Sequence, residues 1–267
     1  METTEFKRRM EERLQRWYHS PPHPDPEVQQ RRHSVAMLAN KSEMHAYATR
    51  MNIPLPRRFA EVDSVDALDF RALPHRVVVK PNNQCSQSGV CLFDRGREVF
   101  SGDIVPLAER QDYVRERLAQ VQPLPPGTKI IAEEFVEDFE PEMTVPRAFK
   151  TFVAGGRTWV TKVVDRNGPG GRTTERYYSR DWTPYDLFQT TNPLADPIPE
   201  PMHYRQLLDL SDRIARDIEC FMRLDFYITP RGVLFGEFTS YPNAGNRYTA
   251  LGSKVLCDLM DRYPDPF

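Results

Sequence analysis

Two acids near the C-terminal end have a spacing that implies a chemical role. Asp225 lies in the strand-like run FMRLDFYI, Glu237 lies in the run GVLFGEFT, and a short turn separates the two runs. A three-residue hairpin loop over 230–232, with its glycine in the left-handed conformation, predicts that Asp225 faces Glu237. The same register predicts two further pairs, Arg223 with Thr239 and Tyr227 with Phe235. Strand alternation then turns the intervening apolar residues to the core: Leu224, Phe226 and Ile228.

Facing carboxylates repel each other because their Cβ atoms lie about 5 Å apart, so the pair is destabilising unless a cation lies between them. A divalent metal is one such cation, and Mg²⁺ accepts carboxylate oxygens while it also holds nucleotide phosphates. Pairing of one acid with an arginine on an exposed sheet face is the other solution. The hairpin alone leaves both interpretations open.

Lys80 ends the apolar run RVVVK just before a proline, which delivers its ammonium to a sheet edge where ligands collect. The segment that follows, QCSQSGV at 84–90, is rich in small hydrogen-bonding residues and suits a flap whose backbone amides approach phosphate. The flap includes Ser86, Ser88 and Gly89. Neither GxGxxG nor GxxxxGK[ST] spacing is present, so no Rossmann or P-loop site is indicated. An ordinary turn beside a lysine that extends into solvent is the competing interpretation.

Two more lysines have anion-binding potential. Lys41 opens a helix that Asn40 caps, and a phosphate at that helix end would interact with the lysine and with the free amides. A lysine in a first helical turn is also common without any ligand. Lys150 lies inside the aromatic run AFKTFV. Packing alone rarely places a lysine there, so a buried partner or an anion is expected.

Two consecutive acids, Glu133 and Glu134, lie in the strand-like run KIIAEEFV. Alternation sends them to opposite faces, so at least one of them needs a partner. Such a strand end could present its backbone to a purine and an acid to ribose hydroxyls, or it is a strand end with solvated glutamates. Cys85 lies near the flap, but no cysteine–histidine arrangement is evident, so a thiol nucleophile is disfavoured.

The elements that position these residues follow from hydrophobic periodicity. A helix is predicted over 3–18, with one apolar face formed by Phe6, Met10, Leu14 and Trp17. Further helices are predicted over 27–39, 41–51, 107–121 and 203–219. Strands are predicted over 76–80, 129–136, 221–228 and 232–239, and the run 148–164 predicts a hairpin that turns at Gly155-Gly156. The chain is therefore a helical segment followed by a mixed domain.

Composition excludes several classes of protein. The 267 residues include 36 Lys and Arg against 38 Asp and Glu, and the net charge of −2 provides no concentrated positive field for nucleic acid. No apolar run approaches the roughly 18 residues of a membrane span, and the charged start METTEFKRRMEERLQRW does not fit a signal peptide. The four cysteines lack disulfide or zinc spacing. We therefore expect a cytoplasmic protein without nucleic-acid or membrane partners.

Six segments, in this order, resemble one known family: NKSEMHAYATRMNIPLP, LPHRVVVKPNNQCSQSGV, IIAEEFV, RAFKTFVAGGR, VVDRNGPGGRTTERYYSRDW and FMRLDFYITPRGVLFGEFTSYPNAG. Together they resemble the ATP-grasp enzymes over residues 40–252. The branch they resemble is the TupA-like group, associated with teichuronopeptide and other surface-polysaccharide or amino-acid-conjugating pathways.

The resemblance implies a fold and a division of the chain. The fold is α+β, with two α+β subdomains whose antiparallel sheets clasp a nucleotide. Residues 1–55 are then a helical N-terminal segment, 56–136 a small subdomain with the phosphate flap, and 137–267 a large subdomain with the metal site. The apolar stripe of the first helix packs on its own domain or on a second subunit of a homodimer.

The resemblance also implies roles for individual residues. The phosphates of ATP are bound by Lys41, Lys80 and the flap at 84–90. Adenine is recognised at the strand end formed by Glu133, Glu134, Phe135 and Val136, and ribose by Glu140 or Glu137. Asp225 and Glu237 bind Mg²⁺, and Arg223 faces the reacting acyl phosphate. Lys150 and Arg166 fall on positive positions that suit phosphate or acid binding.

Two departures from the family pattern stand out. Thr239 occupies the position of the usual metal-binding asparagine, with Asn243 as its candidate substitute. Only a helical segment precedes Lys41, so the usual N-terminal substrate domain is missing.

The implied function is ATP-dependent ligation of a carboxylate to an amine. The carboxylate of a small molecule, peptide or sugar acid attacks the γ-phosphate, and an amine then displaces phosphate from the acyl phosphate to form an amide. Two alternatives are a small-molecule kinase on the same fold, which retains the phosphate on its product, and a non-catalytic nucleotide-binding protein. The acids and cations near the metal site argue against the second alternative.

Overall fold

The computed structural model describes residues 4–84, 88–121, 124–168 and 171–267. Six α-helices are present in these ranges: α1 (Glu5–Leu14), α2 (Pro26–Met37), α3 (Lys41–Arg50), α4 (Arg110–Ala119), α5 (Tyr204–Ile218) and α6 (Ala250–Arg262). Ten strands accompany them: β1 (Arg58–Val62), β2 (Val77–Pro81), β3 (Cys91–Asp94), β4 (Arg97–Glu98), β5 (Ile130–Glu134), β6 (Ala148–Ala154), β7 (Arg157–Gly168), β8 (Arg172–Ser179), β9 (Met222–Thr229) and β10 (Gly232–Thr239). Within the described part of the chain, no helix is long and apolar enough to cross a bilayer.

The first sheet has the strand order β1-β5-β2-β3-β4, and its paired strands are antiparallel. Alternation in β2 buries Val77 and Val79 completely against the α4 side of the sheet, together with Phe93. Lys80 ends up on the opposite side of the strand from these valines. The predicted strands at 76–80 and 129–136 are confirmed within two residues.

The second sheet has the order β10-β9-β6-β7-β8 and is also antiparallel. Helix α5 packs on one face of it and buries its own apolar stripe there: Leu207, Leu210, Ile214 and Ile218. The predicted hairpin at 148–164 is confirmed as β6 and β7. Since α5 covers one face, the polar residues of these strands are left to the other.

The N-terminal helix α1 packs against α6. Phe6, Met10 and Trp17 are buried as predicted, but the prediction for Leu14 is wrong, since its relative exposure is 39%. Leu14 lies at the edge of the buried face of α1, and a π-helical turn follows it over Gln15–His19. Arg13 takes the buried position instead. The stripe of α1 therefore packs within its own chain.

The β9–β10 hairpin confirms two predicted pairings and corrects a third. Asp225 faces Glu237 and Arg223 faces Thr239, as predicted, but Tyr227 faces Leu234 rather than Phe235. The turn is one residue shorter than expected, since Gly232 already pairs with Thr229. A β-bulge at Gly236 supplies the missing residue, so the register beyond the bulge returns to the predicted one.

Candidate active site

One row of polar side chains crosses all five strands of the second sheet. The Cα register pairs Glu237 with Asp225, Asp225 with Lys150, Lys150 with Lys162, and Lys162 with Tyr177. Directly opposite residues on neighbouring antiparallel strands project to the same face. The sheet thus presents two acids, two lysines and a phenol in a line, on the face that α5 does not cover.

Asp225 is the more enclosed of the two acids in this row, with 6% of the residue exposed. Arg223 binds it with two nitrogens, Nε to Oδ1 at 2.7 Å and Nη2 to Oδ2 at 2.9 Å. Lys150 also donates to Oδ2, so the predicted buried partner of this lysine is confirmed. Burial raises the pKa of Asp225, but Arg223 and Lys150 outweigh it and hold that pKa well below its usual range. The acid is therefore ionised at any physiological pH.

Glu237 is more open than Asp225, since 31% of its side chain is exposed. Arg223 Nη2 lies 3.5 Å from its Oε1, and Lys41 Nζ lies 4.0 Å from its Oε2. Arg223 thus spans both acids. Lys41 is the first residue of α3, so the N-terminal end of that helix also lies near Glu237. Asn40 caps that helix by accepting from the Ser42 amide at 2.8 Å, as the sequence predicts.

Lys80 pairs with Glu133. Burial lowers the pKa of Lys80, but the negative charge of Glu133 outweighs it, so the net shift is upwards. Lys80 and Arg166 both lower the pKa of Tyr227, which burial raises, so their charges converge on this phenol. Among the described residues Arg166 itself has no hydrogen bond or ion pair.

The strand end after β5 connects the two sheets. Glu134 pairs with Arg231 at 3.0 Å, so each of the two consecutive acids has a partner, as predicted. Phe135 packs with Leu92 on one face of the first sheet. The segment then approaches the second sheet, where the Phe139 amide donates to the Ile228 carbonyl at 3.1 Å. Val136, like Phe135, is buried.

The candidate ribose acids are both ion-paired. Glu140 lies 3.0 Å from Arg147, which the buried Asp138 also binds at 2.7 Å. Glu137 pairs with Arg76. Because the buried Asp138 already neutralises Arg147, we expect Glu140 to be bound to its arginine less strongly than Glu137 is.

The flap is described only in part, and Ser86 lies outside the described residues. Ser88 and Gly89 form a turn, and Gly89 has φ +70° with its α-carbon against Leu118, where a Cβ would come within 2.7 Å. Lys41 Nζ donates to the Gln84 carbonyl at 2.6 Å. That lysine therefore ties the start of the flap to the site.

Asn243 makes no hydrogen bond to Asp225 or Glu237 within the described residues. It lies in a turn with φ +49°, and its amide donates to Thr191 and to the Asn246 carbonyl at 3.1 and 2.8 Å. Thr239 instead faces Arg223 across the hairpin.

The sequence interpretation missed a buried network beside Lys150. Lys162 donates to Glu175 and to Gln189, both at 2.8 Å. The Tyr177 hydroxyl donates to Gln189 at 2.7 Å, and the Asn192 amide donates to Glu175 at 2.6 Å. Burial lowers the pKa of Lys162 to about 8, and Glu175 opposes that shift. The signal was available, since Lys162 is a lysine inside an apolar strand, as Lys150 is.

The donor set fits Mg²⁺ only in combination with a ligand. In the described ranges no group of three or more His, Cys, Asp or Glu side chains could hold a metal alone. Mg²⁺ commonly binds through one or two carboxylates plus substrate phosphates, and Asp225 with Glu237 provides two hard-oxygen groups on one face. The fit is that of a metal site which a nucleotide completes.

Comparison with known proteins tests the predicted fold. The TupA-like ATP-grasp family matches residues 28–255, which include both sheets and the whole row of polar residues. The chain belongs to the TupA-like ATP-grasp family. No curated protein matches the chain significantly. The predicted family and fold are confirmed.

Solved ATP-grasp structures share the fold at low identity. D-alanine–D-alanine ligase from Bacillus anthracis, complexed with ATP, has a TM-score of 0.55 at 13% identity, over 86% of this chain and 67% of that one. An L-amino acid ligase from Bacillus licheniformis has 0.51 at 15%, over 87% and 48%. The ATP-grasp ligase PsnB, complexed with a phosphomimetic variant of a minimal precursor, Mg and ADP, has 0.50 at 11%, over 86% and 60%. This chain therefore spans about half to two thirds of their lengths.

Proposed function

We propose that this ATP-grasp protein is an ATP-dependent carboxylate–amine ligase, which forms an acyl phosphate and then an amide with release of ADP and phosphate. The observation that carries the proposal is the pair of acids, Asp225 and Glu237, held side by side by Arg223. Arg223, Lys150 and Lys41 bring three cations to these acids from two strands and a helix. A salt bridge that only stabilises the fold does not require so many charges, whereas a site for a metal-bound triphosphate requires both the acids and the cations.

The nucleotide lies between the two sheets in this proposal. Lys41 and Lys80 bind its phosphates, together with the flap residues Ser86, Ser88 and Gly89. The adenine is lined by Glu134, Phe135 and Val136, and its edge hydrogen-bonds to the backbone of this strand end. Glu140 binds the ribose. Glu133, which the sequence placed with the adenine group, acts by orienting Lys80, since the two are paired.

Asp225 and Glu237 would hold Mg²⁺, which supplies charge neutralisation on the phosphate oxygens. Asn243 stays the candidate third oxygen ligand, because its hydrogen bonds use the amide nitrogen and not the Oδ1 that a metal would bind. Lys150 is released from Asp225 when the metal–nucleotide binds, and its ammonium then meets the transferred phosphoryl group. Arg166, on the same face and without a partner in the described chain, suits the carboxylate of the acid substrate.

The chemistry depends on position and charge. A substrate carboxylate oxygen attacks the γ-phosphorus in line, and the developing charge is spread over Lys80, Lys41 and Lys150. The amine then adds to the acyl carbon, and Arg223 donates to the oxyanion that forms there. Arg223 is suited to this because Asp225 fixes its guanidinium with two bonds. The acid is a small molecule, a peptide or a sugar acid, and the cellular setting is cytoplasmic in this proposal.

The test is ADP release from the purified protein with ATP, Mg²⁺ and a panel of amino acids, uronic acids and short peptides, followed by mass spectrometry. We expect a product lighter by one water than the sum of its two parts, and free phosphate equal to ADP. Asp225→Asn should abolish it, whereas Asp258→Asn, at an exposed acid of α6, should not. Phosphate retained on an acceptor would identify a kinase instead, and nucleotide binding without turnover across the panel would contradict the ligase.

A further inference from the structure

A second cleft opens beside the first sheet, where the β3–β4 turn meets the start of β2. Its volume is about 750 Å³, which is in the range of small-molecule sites. Its walls include His75 and three arginines, Arg76, Arg95 and Arg110, together with Pro74 and Leu107. No residue of the candidate active site lines it.

Arg110 is the residue of this cleft whose burial is unusual. Only 1% of it is exposed, yet its Nε and Nη1 atoms have no hydrogen-bond partner among the described residues. Nη2 donates one long bond, 3.4 Å, to the His75 carbonyl. The guanidinium lies 4.7 Å from the centroid of the Phe93 ring. No carboxylate of the described chain is paired with it.

Packing does not account for an arginine at this position. A buried charge without a counter-ion is destabilising, and so is each hydrogen bond that a buried donor fails to make. The cation–π contact with Phe93 compensates the charge but supplies no acceptor for the unpaired N–H groups. An unbranched apolar side chain would fill the same space without these losses. Burial also lowers the pKa of Arg110, because the charged guanidinium loses its hydration.

The other arginines differ in how far they are neutralised. Arg76 pairs with Asp94 at 3.1 Å and with Glu137, so its charge is compensated. Arg95 has 81% of its side chain exposed and lies 3.8 Å from Asp94, which Arg76 already binds. Arg95 and Arg110 therefore leave positive charge at the rim and at the base of the cleft.

The base of the cleft, at Arg110, lies behind the first sheet relative to the proposed nucleotide. Phe93, under Arg110, packs on the α4 side with Val77 and Val79, whereas its neighbour Leu92 packs with Phe135 on the other side. Successive residues of a strand point to opposite faces. A ligand at Arg110 and a nucleotide at Phe135 would therefore lie on opposite faces of the sheet, and Arg76, which lines the cleft, lies 4.6 Å from the centroid of the Phe135 ring.

We propose that this cleft is an anion-binding site, in which Arg110 grips the carboxylate or phosphate group of a small ligand and Arg95 contacts it from the rim. A guanidinium presents its donors as a planar fork that matches an oxyanion with two parallel bonds. The single long bond to His75 is the one that Arg110 gives up when it turns to the ligand. The bound anion supplies the partners that its nitrogens lack.

Thermal unfolding tests the proposal, with inorganic phosphate or succinate titrated against chloride at constant ionic strength. Each series is run with and without MgADP, so that anion binding at the proposed nucleotide site is separated from binding at the cleft. The variants are Arg110→Met and Arg95→Asn, since asparagine tolerates the φ of +48° at residue 95. Arg115→Gln is the control, an exposed arginine on the same helix that is paired with Asp66.

We expect the wild-type melting temperature to rise with one of the two anions, with or without MgADP. Arg110→Met should be as stable as the wild type in chloride and lose that response, while Arg95→Asn should weaken the anion several-fold and Arg115→Gln should behave as wild type. A response to phosphate alone assigns a phosphoryl ligand, and one to succinate alone assigns a carboxylate. No response in the wild type, or a response that survives in Arg110→Met and Arg95→Asn, would overturn the proposal. If Arg110→Met does not fold, the Arg95→Asn comparison decides alone.

Discussion

Lys150 and Asp225 lie directly opposite each other on β6 and β9, and the lysine ammonium donates a hydrogen bond to the buried carboxylate. Arg223 holds both oxygens of the same carboxylate. The acid that we propose as a metal ligand is therefore neutralised and oriented before any ligand arrives. In the proposed site, a bound metal–nucleotide would replace the Lys150 ammonium as the counter-charge of Asp225. Lys150 would then be free to bind phosphate.

Loss of this contact should be measurable as stability. We expect Lys150→Met to lower the free energy of unfolding by about 2 kcal/mol, because it leaves a buried carboxylate with one cation instead of two. Combination with Asp225→Asn should cost less in urea denaturation than the sum of the two single changes, since each single change leaves the partner's charge buried with less compensation. The exposed Lys254→Met is the control and should change little. Strictly additive effects of the two changes would show that the residues are not coupled.

Arg223 should act on the rate more than on nucleotide affinity. Lysine keeps the charge but cannot reproduce the two-nitrogen grip on Asp225. We expect Arg223→Lys to lower kcat by about 100-fold, as for loss of an oxyanion donor, while the Kd for MgADP changes only a few-fold. Arg231→Lys, at an exposed arginine of the same hairpin, should leave kcat unchanged. An equal loss in kcat and in affinity would assign Arg223 to binding.

The Lys162–Glu175 pair should give stability a distinctive pH dependence. The pKa of Lys162 is lowered by burial to about 8, against about 10.4 for an unfolded lysine. Between these values the unfolded chain binds more protons than the folded one, so this residue's contribution to stability rises with pH. Relative to the double variant Lys162→Met/Glu175→Gln, the wild type should gain on the order of 1–2 kcal/mol from pH 7.5 to 9.5.

Urea denaturation at several pH values measures this gain. The exposed pair Lys254–Asp258 provides the control, and its Met/Asn double variant should run parallel to the wild type over the same range. A wild type that loses stability relative to Lys162→Met/Glu175→Gln above pH 8 would mean that the attraction of Glu175 for the Lys162 cation outweighs the effect of burial.

The bulge at Gly236 should matter for the position of Glu237. A Cβ at residue 236 would lie 3.2 Å from the Asp225 carbonyl oxygen and 3.3 Å from the Tyr227 ring. A branched side chain there must push β9 and β10 apart, so we expect Gly236→Val to cost about 1–2 kcal/mol and to weaken MgADP by more than Gly236→Ala does. Calorimetric titration of both variants checks this. Wild-type affinity in Gly236→Val would show that the bulge does not position the acid.

The same hairpin shows how far the sequence could lead. The predicted pairing of Asp225 with Glu237 is correct, but it is reached through two differences of one residue that cancel, a shorter turn and a bulge at Gly236. The bulge had a local signal, because a glycine inside a strand often marks one. The pairing of Tyr227 with Phe235 failed because it lies between the turn and the bulge, where the two differences do not cancel.

A single sequence does not predict which charged residues pair with each other across the sheet. The charge of Lys150 within an aromatic run predicts some partner, but Asp225 lies 75 residues away and nothing local selects it. The same holds for Lys162 and Glu175. For Asp225 the metal and the arginine appeared as alternatives, whereas the structure pairs the acid with both an arginine and a lysine and leaves Glu237 beside it open to a ligand. Which cations bind a given carboxylate depends on which strands are neighbours in the sheet, and the sequence does not show the strand order.

The decisive measurement is a crystal structure grown with a non-hydrolysable ATP analogue and Mn²⁺ in place of Mg²⁺, with anomalous diffraction used to locate the metal. We predict a metal peak bound by Asp225 and Glu237 and by phosphate oxygens, with Lys150 moved from Asp225 to a phosphate. A nucleotide held between the sheets with no metal at these acids, or with Asp225 still closed by Lys150 and Arg223, would contradict the proposed site.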